Sequence, residues 1–378
     1  MLSADSDPVV MQADLHLART LVPLKSMMTS HLRELLSSAS VDMLFAGQAL
    51  FEPGSGDGSL IYLLHGDMEL HLSDGRVVLE KGRSRIYPLA AGWRKPVKAV
   101  AKTDCAVMRV DRMELDKLLT WSQIAEYLLV DISYQRDLDE DVEWMMTVLK
   151  SNLFFKVPPI NAPDIFTRLT PLSVGAGEVI LRQGEIGDGC YFIKEGEAVV
   201  SRYSGARNGS QPIADITVGR CFGEDALVNK TVRNATVTMR GDGVLMRLGK
   251  PDFILLLKEP AVNLIAGSRI ESELAAGTLC IDVRTEDEYA LGHIRRGVNI
   301  PLNLLRLKLR LLEKNTRYLL CCDTGQRSRA AVHLLNRQGF ETFALEGGIN
   351  GLSTQQWREL EDCEQDFLLR DGQVVEGL

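Results

Sequence analysis

Leu319-Leu320-Cys321-Cys322-Asp323-Thr324-Gly325-Gln326-Arg327-Ser328-Arg329 is the stretch around which the chain is arranged. An apolar run, Tyr318 to Cys322, ends in a short polar loop, and the apolar-periodic segment Ala330 to Leu335 follows. That pattern predicts a strand, a tight turn and the start of a helix, with Cys322 at the mouth of the strand. Side chains alternate along a strand, so Cys321 points away from the loop and into the core. A thiol at position 322 faces loop N–H groups and the positive end of a helix, which lower a cysteine pKa and stabilise a thiolate. Arg327 and Arg329 add positive charge for an anionic substrate.

The flanks extend the pattern: Ile281-Asp282-Val283-Arg284, Glu288-Tyr289, Gly292-His293-Ile294, Asn299-Ile300-Pro301 and Leu345-Glu346-Gly347-Gly348-Ile349. Together with the Cys322 loop they resemble the rhodanese-type sulfurtransferases over roughly residues 262–358. The resemblance implies an α/β domain with a central parallel sheet and no cofactor for catalysis. It also implies that Cys322 takes a sulfane sulfur from a donor such as thiosulfate, becomes a persulfide and passes the sulfur to a thiophilic acceptor. Cys322 and Arg327 are then the catalytic pair, with Asp323, Thr324, Gly325, Gln326, Ser328 and Arg329 forming the substrate loop. Related dual-specificity phosphatases place five residues between cysteine and arginine; four stand here, which favours sulfur over phosphate. His293 reads as a buried hydrogen-bonding residue, and Asp282 and Arg284 as structural. Leu352 stands where the family often has a tryptophan.

At 378 residues, 45% hydrophobic and 25% charged, the chain is long enough for two to four globular domains. A net charge of −8 argues against a general binder of nucleic acid or anionic membranes. No apolar run reaches the roughly 20 residues needed to span a bilayer. The start of the sequence lacks a basic segment followed by an apolar one, so no secretory signal is visible. Seven scattered cysteines without CxxC pairs suit a reducing compartment. A cytoplasmic protein is the expectation, with no metal site.

Upstream, the chain repeats itself. Gly47 to Gly54 aligns with Gly177 to Gly184, Leu60 to Leu63 with Cys190 to Ile193, and Gly66-Asp67 with Gly196-Glu197, all at a step of 130. Val107 to Val110 pairs with Leu245 to Leu248 at 138, so the second copy gains eight residues, most simply in the hairpin Ser204 to Ser210. Short strands with glycine turns at near-regular spacing predict two β-barrel or jelly-roll domains with accompanying helices.

The second copy carries Gly184-Glu185-Ile186-Gly187-Asp188-Gly189, then Phe222-Gly223-Glu224-Asp225-Ala226-Leu227, then Arg233-Asn234-Ala235-Thr236. These segments resemble cyclic-nucleotide-binding domains over about residues 150–258. The resemblance implies a phosphate-binding cassette for cAMP or cGMP as a regulatory ligand. Gly223 lets the backbone approach the ligand, Glu224 accepts the ribose 2′-hydroxyl and Arg233 pairs with the cyclic phosphate. Ala226 and Leu227 supply the apolar side, and Asn234 and Ala235 continue the segment near the base, where no preference between adenine and guanine is legible. At the step of 138 the first copy offers Arg85, Ile86 and Lys95 for Gly223, Glu224 and Arg233. Ile86 cannot accept a hydroxyl, so residues 21–120 read as a degenerate structural copy, with Arg83, Arg85, Arg94 and Lys95 as leftover basic groups.

The remaining segments follow from these. Residues 1–20 read as an arm and 121–149 as a helical linker with an acidic bend at Asp137 to Glu143, suited to contacts in a homodimer. Trp144-Met145-Met146 reads as core. Residues 268–274 read as the first helix of the last domain under a serine cap, and 359–378 as an acidic tail in which Cys363 is incidental. Nothing after Leu257 offers a helix-turn-helix with a basic face. The whole reads as a cyclic-nucleotide-responsive sulfurtransferase. The alternative is a non-enzymatic regulator whose last domain binds a partner or senses redox state through Cys322.

Overall fold

The computed structural model describes residues 15–51, 58–72, 75–82, 86–89, 96–135, 141–149, 157–205, 209–362, 367–370 and 373–376. The chain forms two compact units, residues 1–123 with 262–378, and residues 124–261.

The first unit begins with a β-sandwich. One antiparallel sheet runs Ser40–Leu44, Cys105–Asp111, Ser59–His65, and the other Ala49–Phe51, Pro96–Ala101, Asp67–Leu72, Val77–Lys81. Alternation is plain in Asp67–Leu72, where Met68, Leu70 and Leu72 are buried. Met68 and Leu70 pack with Leu50, Leu63, Ala99 and Val107. The last strand runs into the helix Arg112–Gln135, whose start is held by Asp111, its carboxylate accepting the Glu114 N–H at 2.8 Å. The helix buries Leu115, Leu118 and Leu119 at helical spacing, together with Asp116, Thr120 and Ser122. Of the basic residues singled out in this copy, Arg83, Arg85, Arg94 and Lys95 lie outside the described residues, and Ile86 is half-buried.

The same unit contains a five-stranded parallel sheet in the order Leu264–Ile265, Glu341–Leu345, Arg317–Cys321, Leu279–Asp282, Val298–Asn299. Its centre, Arg317–Cys321, is buried from Tyr318 onward, as expected of a parallel strand covered on both faces. Cys321 points into the core with its sulfur 3.8 Å from that of Cys280. Cys322 follows at the carboxyl end of the strand, the end at which open parallel sheets place ligands. The serine cap expected near residue 268 does not form. A 3-10 turn, Gly267–Arg269, precedes the helix Ile270–Ala275, so Arg269 takes the cap position and no side chain caps it. The acidic tail is built into the unit. Glu361–Asp362 pairs with His293–Ile294, and Phe367, in a hairpin with Gln373–Glu376, packs edge-on against His293. Cys363 lies outside the described residues.

The second unit holds another sandwich. Its sheets run Cys221–Phe222, Gly189–Glu195, Gly243–Gly249, Thr170–Val174 and Ser210–Ile216, Ala198–Tyr203, Thr236–Met239, Val179–Leu181. Strand pairing repeats that of the first sandwich. Met68 faces Glu80 and Ala101, while Ala198 faces Ile216 and Met239. The step between corresponding residues is therefore 136 beyond the hairpin and 138 only at Ala101 and Met239. Six of the eight added residues belong to the hairpin and two come after it. Trp144, in the helix Asp141–Leu149, is buried, donates to the Ile193 carbonyl at 2.9 Å and meets Phe166 edge-on. Most of the acidic bend, residues 136–140, lies outside the described residues.

Candidate functional site

The Cys322 loop is shaped from below by two glycines. Gly348 sits at φ +63°, and a Cβ there would come within 2.5 Å of the Cys322 carbonyl and 2.6 Å of the Asp323 carbonyl and Gly325 nitrogen. The bare backbone lets Ile349 N–H donate to the Cys322 carbonyl at 2.8 Å and Asn350 N–H to that of Asp323 at 3.0 Å. Gly325, at φ +95°, turns the chain into the helix Gln326–Arg337. The Cys322 sulfur then receives the N–H groups of Gly325 at 3.2 Å and Ser328 at 3.4 Å and lies 3.6 Å from the Ser328 hydroxyl. This is a cradle for a negatively charged sulfur at a helix N-terminus.

Arg327 does not point to solvent. Its guanidinium is buried and makes a bidentate pair with Glu288, both bonds at 2.8 Å. Glu288 also closes a capping box, accepting from the Thr285 N–H and hydroxyl at the start of the helix Glu286–Ala290. Burial alone would raise the Glu288 pKa; the Arg327 charge and hydrogen bonds outweigh it and hold the carboxyl down at about 2. On its other edge Arg327 meets Asp116, Nε to Oδ1 at 2.7 Å, an ion contact without hydrogen-bond alignment. The Thr324 hydroxyl donates to the second Asp116 oxygen. Asp323 faces Arg112 at 3.5 Å and Arg284 at 3.7 Å, and the Gln326 side chain donates to the Met113 carbonyl at 3.3 Å. Arg284 is itself locked to Asp282 and to the Gly292 carbonyl, and His293 stacks on Tyr289, so both keep the structural roles expected of them. Arg329 is half-buried on the same helix.

Two sequence expectations are corrected here. The thiol was to have a lowered pKa, yet Cys322 is fully buried and its pKa is pushed up to about 11, by burial first and then by Asp116, with Arg327 and Ser328 opposing. Arg327 was to offer free charge to an anionic substrate, yet two carboxyls already occupy it. The residue missed was Asp116. In Arg112-Met113-Glu114-Leu115-Asp116-Lys117 it looks like one more solvated charge on a helix, and the loop it reaches is 208 positions away.

In the second unit, Gly223 at φ +87° ends the strand Cys221–Phe222 and starts the short helix Glu224–Val228. A Cβ on Gly223 would lie 2.8 Å from Arg233 Nη1. Arg233 is buried and donates to the carbonyls of Gly223 at 2.6 Å and Gly189 at 2.7 Å, with Asp188 at 3.3 Å. Asp188 is shared with Arg247 at 3.0 Å. Glu224, Ala226, Leu227 and Ala235 are buried, and Asn234 is exposed. Gly223, Glu224 and Arg233 are thus brought together. Among the described residues no cluster of His, Cys, Asp or Glu is arranged to hold a metal ion, and no helix is long and apolar enough to cross a membrane.

Comparison with known proteins gives two domain matches, a cyclic nucleotide-binding domain over residues 171–259 and a rhodanese-like domain over 268–355. Among curated relatives, the cAMP-dependent protein kinase regulatory subunit of Schizosaccharomyces pombe is 34% identical over 137 residues, 35% of this chain and 32% of the relative. The same kind of subunit from Eremothecium gossypii is 28% identical, over 59% of this chain and 45% of the relative. The chain thus spans less than half the length of either. YtwF of Bacillus subtilis, a candidate sulfurtransferase, is 38% identical over 69 residues, 18% of this chain and 67% of the relative. Among solved structures, the regulatory domain of Toxoplasma gondii PKA with cAMP is 18% identical, with 69% of this chain and 94% of that one covered at a TM-score of 0.24. Through residues 268–355 the chain belongs to the rhodanese-like family, and ahead of them it carries a cyclic nucleotide-binding domain.

Proposed function

We propose that the chain is a sulfurtransferase under the control of a cyclic nucleotide. The observation that carries this reading is the pair of N–H groups, from Gly325 and Ser328, aimed at the Cys322 sulfur. Once the thiol has lost its proton, the thiolate attacks the sulfane sulfur of thiosulfate. The new S–S bond forms as the bond to the sulfonate sulfur breaks, and sulfite leaves with that electron pair. The charge now rests on the outer persulfide sulfur, close to the helix N-terminus that stabilises it. A thiophile such as cyanide then takes the outer sulfur, leaving as thiocyanate and restoring the thiolate. No general base is required once the thiol is ionised.

In the same reading residues 150–258 bind cAMP or cGMP, the phosphate exchanging with the carbonyls now held by Arg233. Residues 21–120 are a copy that kept the strand pairing and lost the ligand groups. The domain borders follow the sequence reading, with 262–358 as the transferase domain. The test is thiocyanate formation from thiosulfate and cyanide by the full chain. Cys322→Ser is expected to remove the activity by about a thousandfold or more and to lose the mass of one sulfur gained by the wild type. Equal turnover by both proteins would end the reading. The rival is a regulator without turnover, favoured by the burial of Cys322 and by relatives that are named as kinase regulatory subunits. It expects no thiocyanate from either protein.

A further inference from the structure

Arg327 needs one carboxylate and has two. Glu288 already satisfies it in bidentate geometry. Asp116 adds a second buried acid, and its own pKa is raised by burial and by the nearby charges of Asp323 and Glu288, against the pull of Arg327 and Thr324. A buried carboxyl with one oxygen outside hydrogen-bond geometry contributes poorly to stability. Its position is what stands out. It touches the Thr324 hydroxyl and the Nε edge of Arg327 that Glu288 does not use, polar groups of the loop that holds Cys322. The helix turn that carries it is tied down on both sides, by Arg112 to Asp323 and by the Met113 carbonyl to Gln326. Cys322, in the loop that this turn holds, has no exposed surface.

We infer that Asp116 is an internal substrate mimic: its carboxylate occupies the seat of an anionic sulfur donor, one with a sulfonate or carboxylate head, and the first turn of the Arg112–Gln135 helix shuts the site until it lifts. The inference rests on the sulfurtransferase reading of Cys322 and adds the regulation of that site by the first sandwich. Sulfur transfer then requires the sandwich to release the loop, and the donor that enters takes over the contacts to Thr324 and Arg327.

The test is the alkylation of Cys322 in the full chain by neutral iodoacetamide and by anionic iodoacetate, with peptide mapping, alongside thiosulfate:cyanide turnover. Asp116→Ala is expected to raise labelling about tenfold or more, since each unit lost from the thiol pKa raises the thiolate fraction about tenfold. Iodoacetate should gain more than iodoacetamide, because an anion seat has been vacated. Turnover should rise with it and vanish in the Asp116→Ala, Cys322→Ser double variant. Arg112→Ala, which cuts a half-exposed tie and leaves the buried pair intact, should give a smaller gain in labelling and covers the case in which Asp116→Ala fails to fold. Folded variants labelled no faster than the wild type would overturn the plug, and equal gains for the two reagents would overturn the anion seat. Faster labelling with no turnover in any variant leaves the plug standing and overturns the sulfurtransferase reading instead.

Discussion

Arg327 and Arg233 are both buried, and each is reached through a left-handed glycine at the start of a helix, Gly325 in one case and Gly223 in the other. Their partners differ. Arg327 is met by two buried carboxyls, whereas Arg233 is met by two neutral carbonyls and by Asp188, an exposed acid that it shares with Arg247. A carbonyl satisfies the N–H donors and leaves the charge uncancelled, and the carboxylate on Arg233, that of Asp188, is exposed and shared, so an incoming phosphate still gains much of an ion pair. A carboxylate cancels the charge as well, and an incoming anion must displace it. On the proposed function, Arg233 keeps charge to offer a ligand and Arg327 has its charge already met, and the difference lies in the partners rather than in the arginine.

The sharpest way to break this comparison is to remove the carboxylate that is structural. Glu288→Gln removes the negative charge and one of the two oxygens that hold Arg327, so the carboxylate left on Arg327 is that of Asp116. The remaining oxygen can still accept the Thr285 N–H, as Gln356 does for Ser353. Breaking one side of a buried pair costs about 3–5 kcal/mol, and thermal melting of the first unit should register that loss at neutral pH. The pH dependence has a definite sign. The folded pKa of Glu288 is depressed from 4.5 to about 2, so its contribution is complete above about 4.5 and is lost as pH falls towards 2. The gap in stability between wild type and Glu288→Gln should therefore be widest at neutral pH and close through that window. A gap that stays constant down to pH 2 would mean that Glu288 is not the charged partner of Arg327.

The Arg233 side of the comparison makes a prediction about affinity. Arg233→Ala should weaken cyclic nucleotide binding about a hundredfold or more in calorimetric titration, the loss of a charge-assisted, desolvated pair of about 3 kcal/mol. On the reading of residues 21–120 as a structural copy, the titration should also find one nucleotide per chain. Two nucleotides per chain would show that the first copy retains a site.

Most of what is local in these sites was legible in the sequence. Cys321 and Cys322 were assigned to opposite faces by strand alternation alone, and the structure places the first against Cys280 and the second against the loop amides. Gly347-Gly348 belonged to the pattern because any side chain at 348 would strike the loop. Residue type was a weaker guide where backbone geometry intervened, as at Ser268, where a 3-10 turn moves the helix cap one residue past the serine, to Arg269. The electrostatics of Cys322 were misread, because a pKa depends on burial and on nearby charge, and the Asp116 charge comes from a stretch far away in the sequence. Periodicity and spacing describe neighbours in the chain, and no pattern of that kind links Asp116 to Thr324.

The smallest expected effect concerns Gly223, and it separates backbone from side-chain causes. An alanine there would need the φ of +87° that L-residues rarely adopt, and its Cβ would sit 2.8 Å from Arg233 Nη1 and 3.1 Å from Leu181. Arg233 is a side chain and can shift by a few tenths of an ångström, but that shift stretches its 2.6 Å bond to the Gly223 carbonyl. The strain of the left-handed position is about 1–2 kcal/mol, and melting of the second unit should show it without ligand. Nucleotide affinity should fall by a further factor of about ten, since the same methyl narrows the approach to Arg233. If stability falls and affinity does not, Gly223 serves the turn alone, and the carbonyl-held Arg233 reaches its ligand from a side that the glycine does not guard.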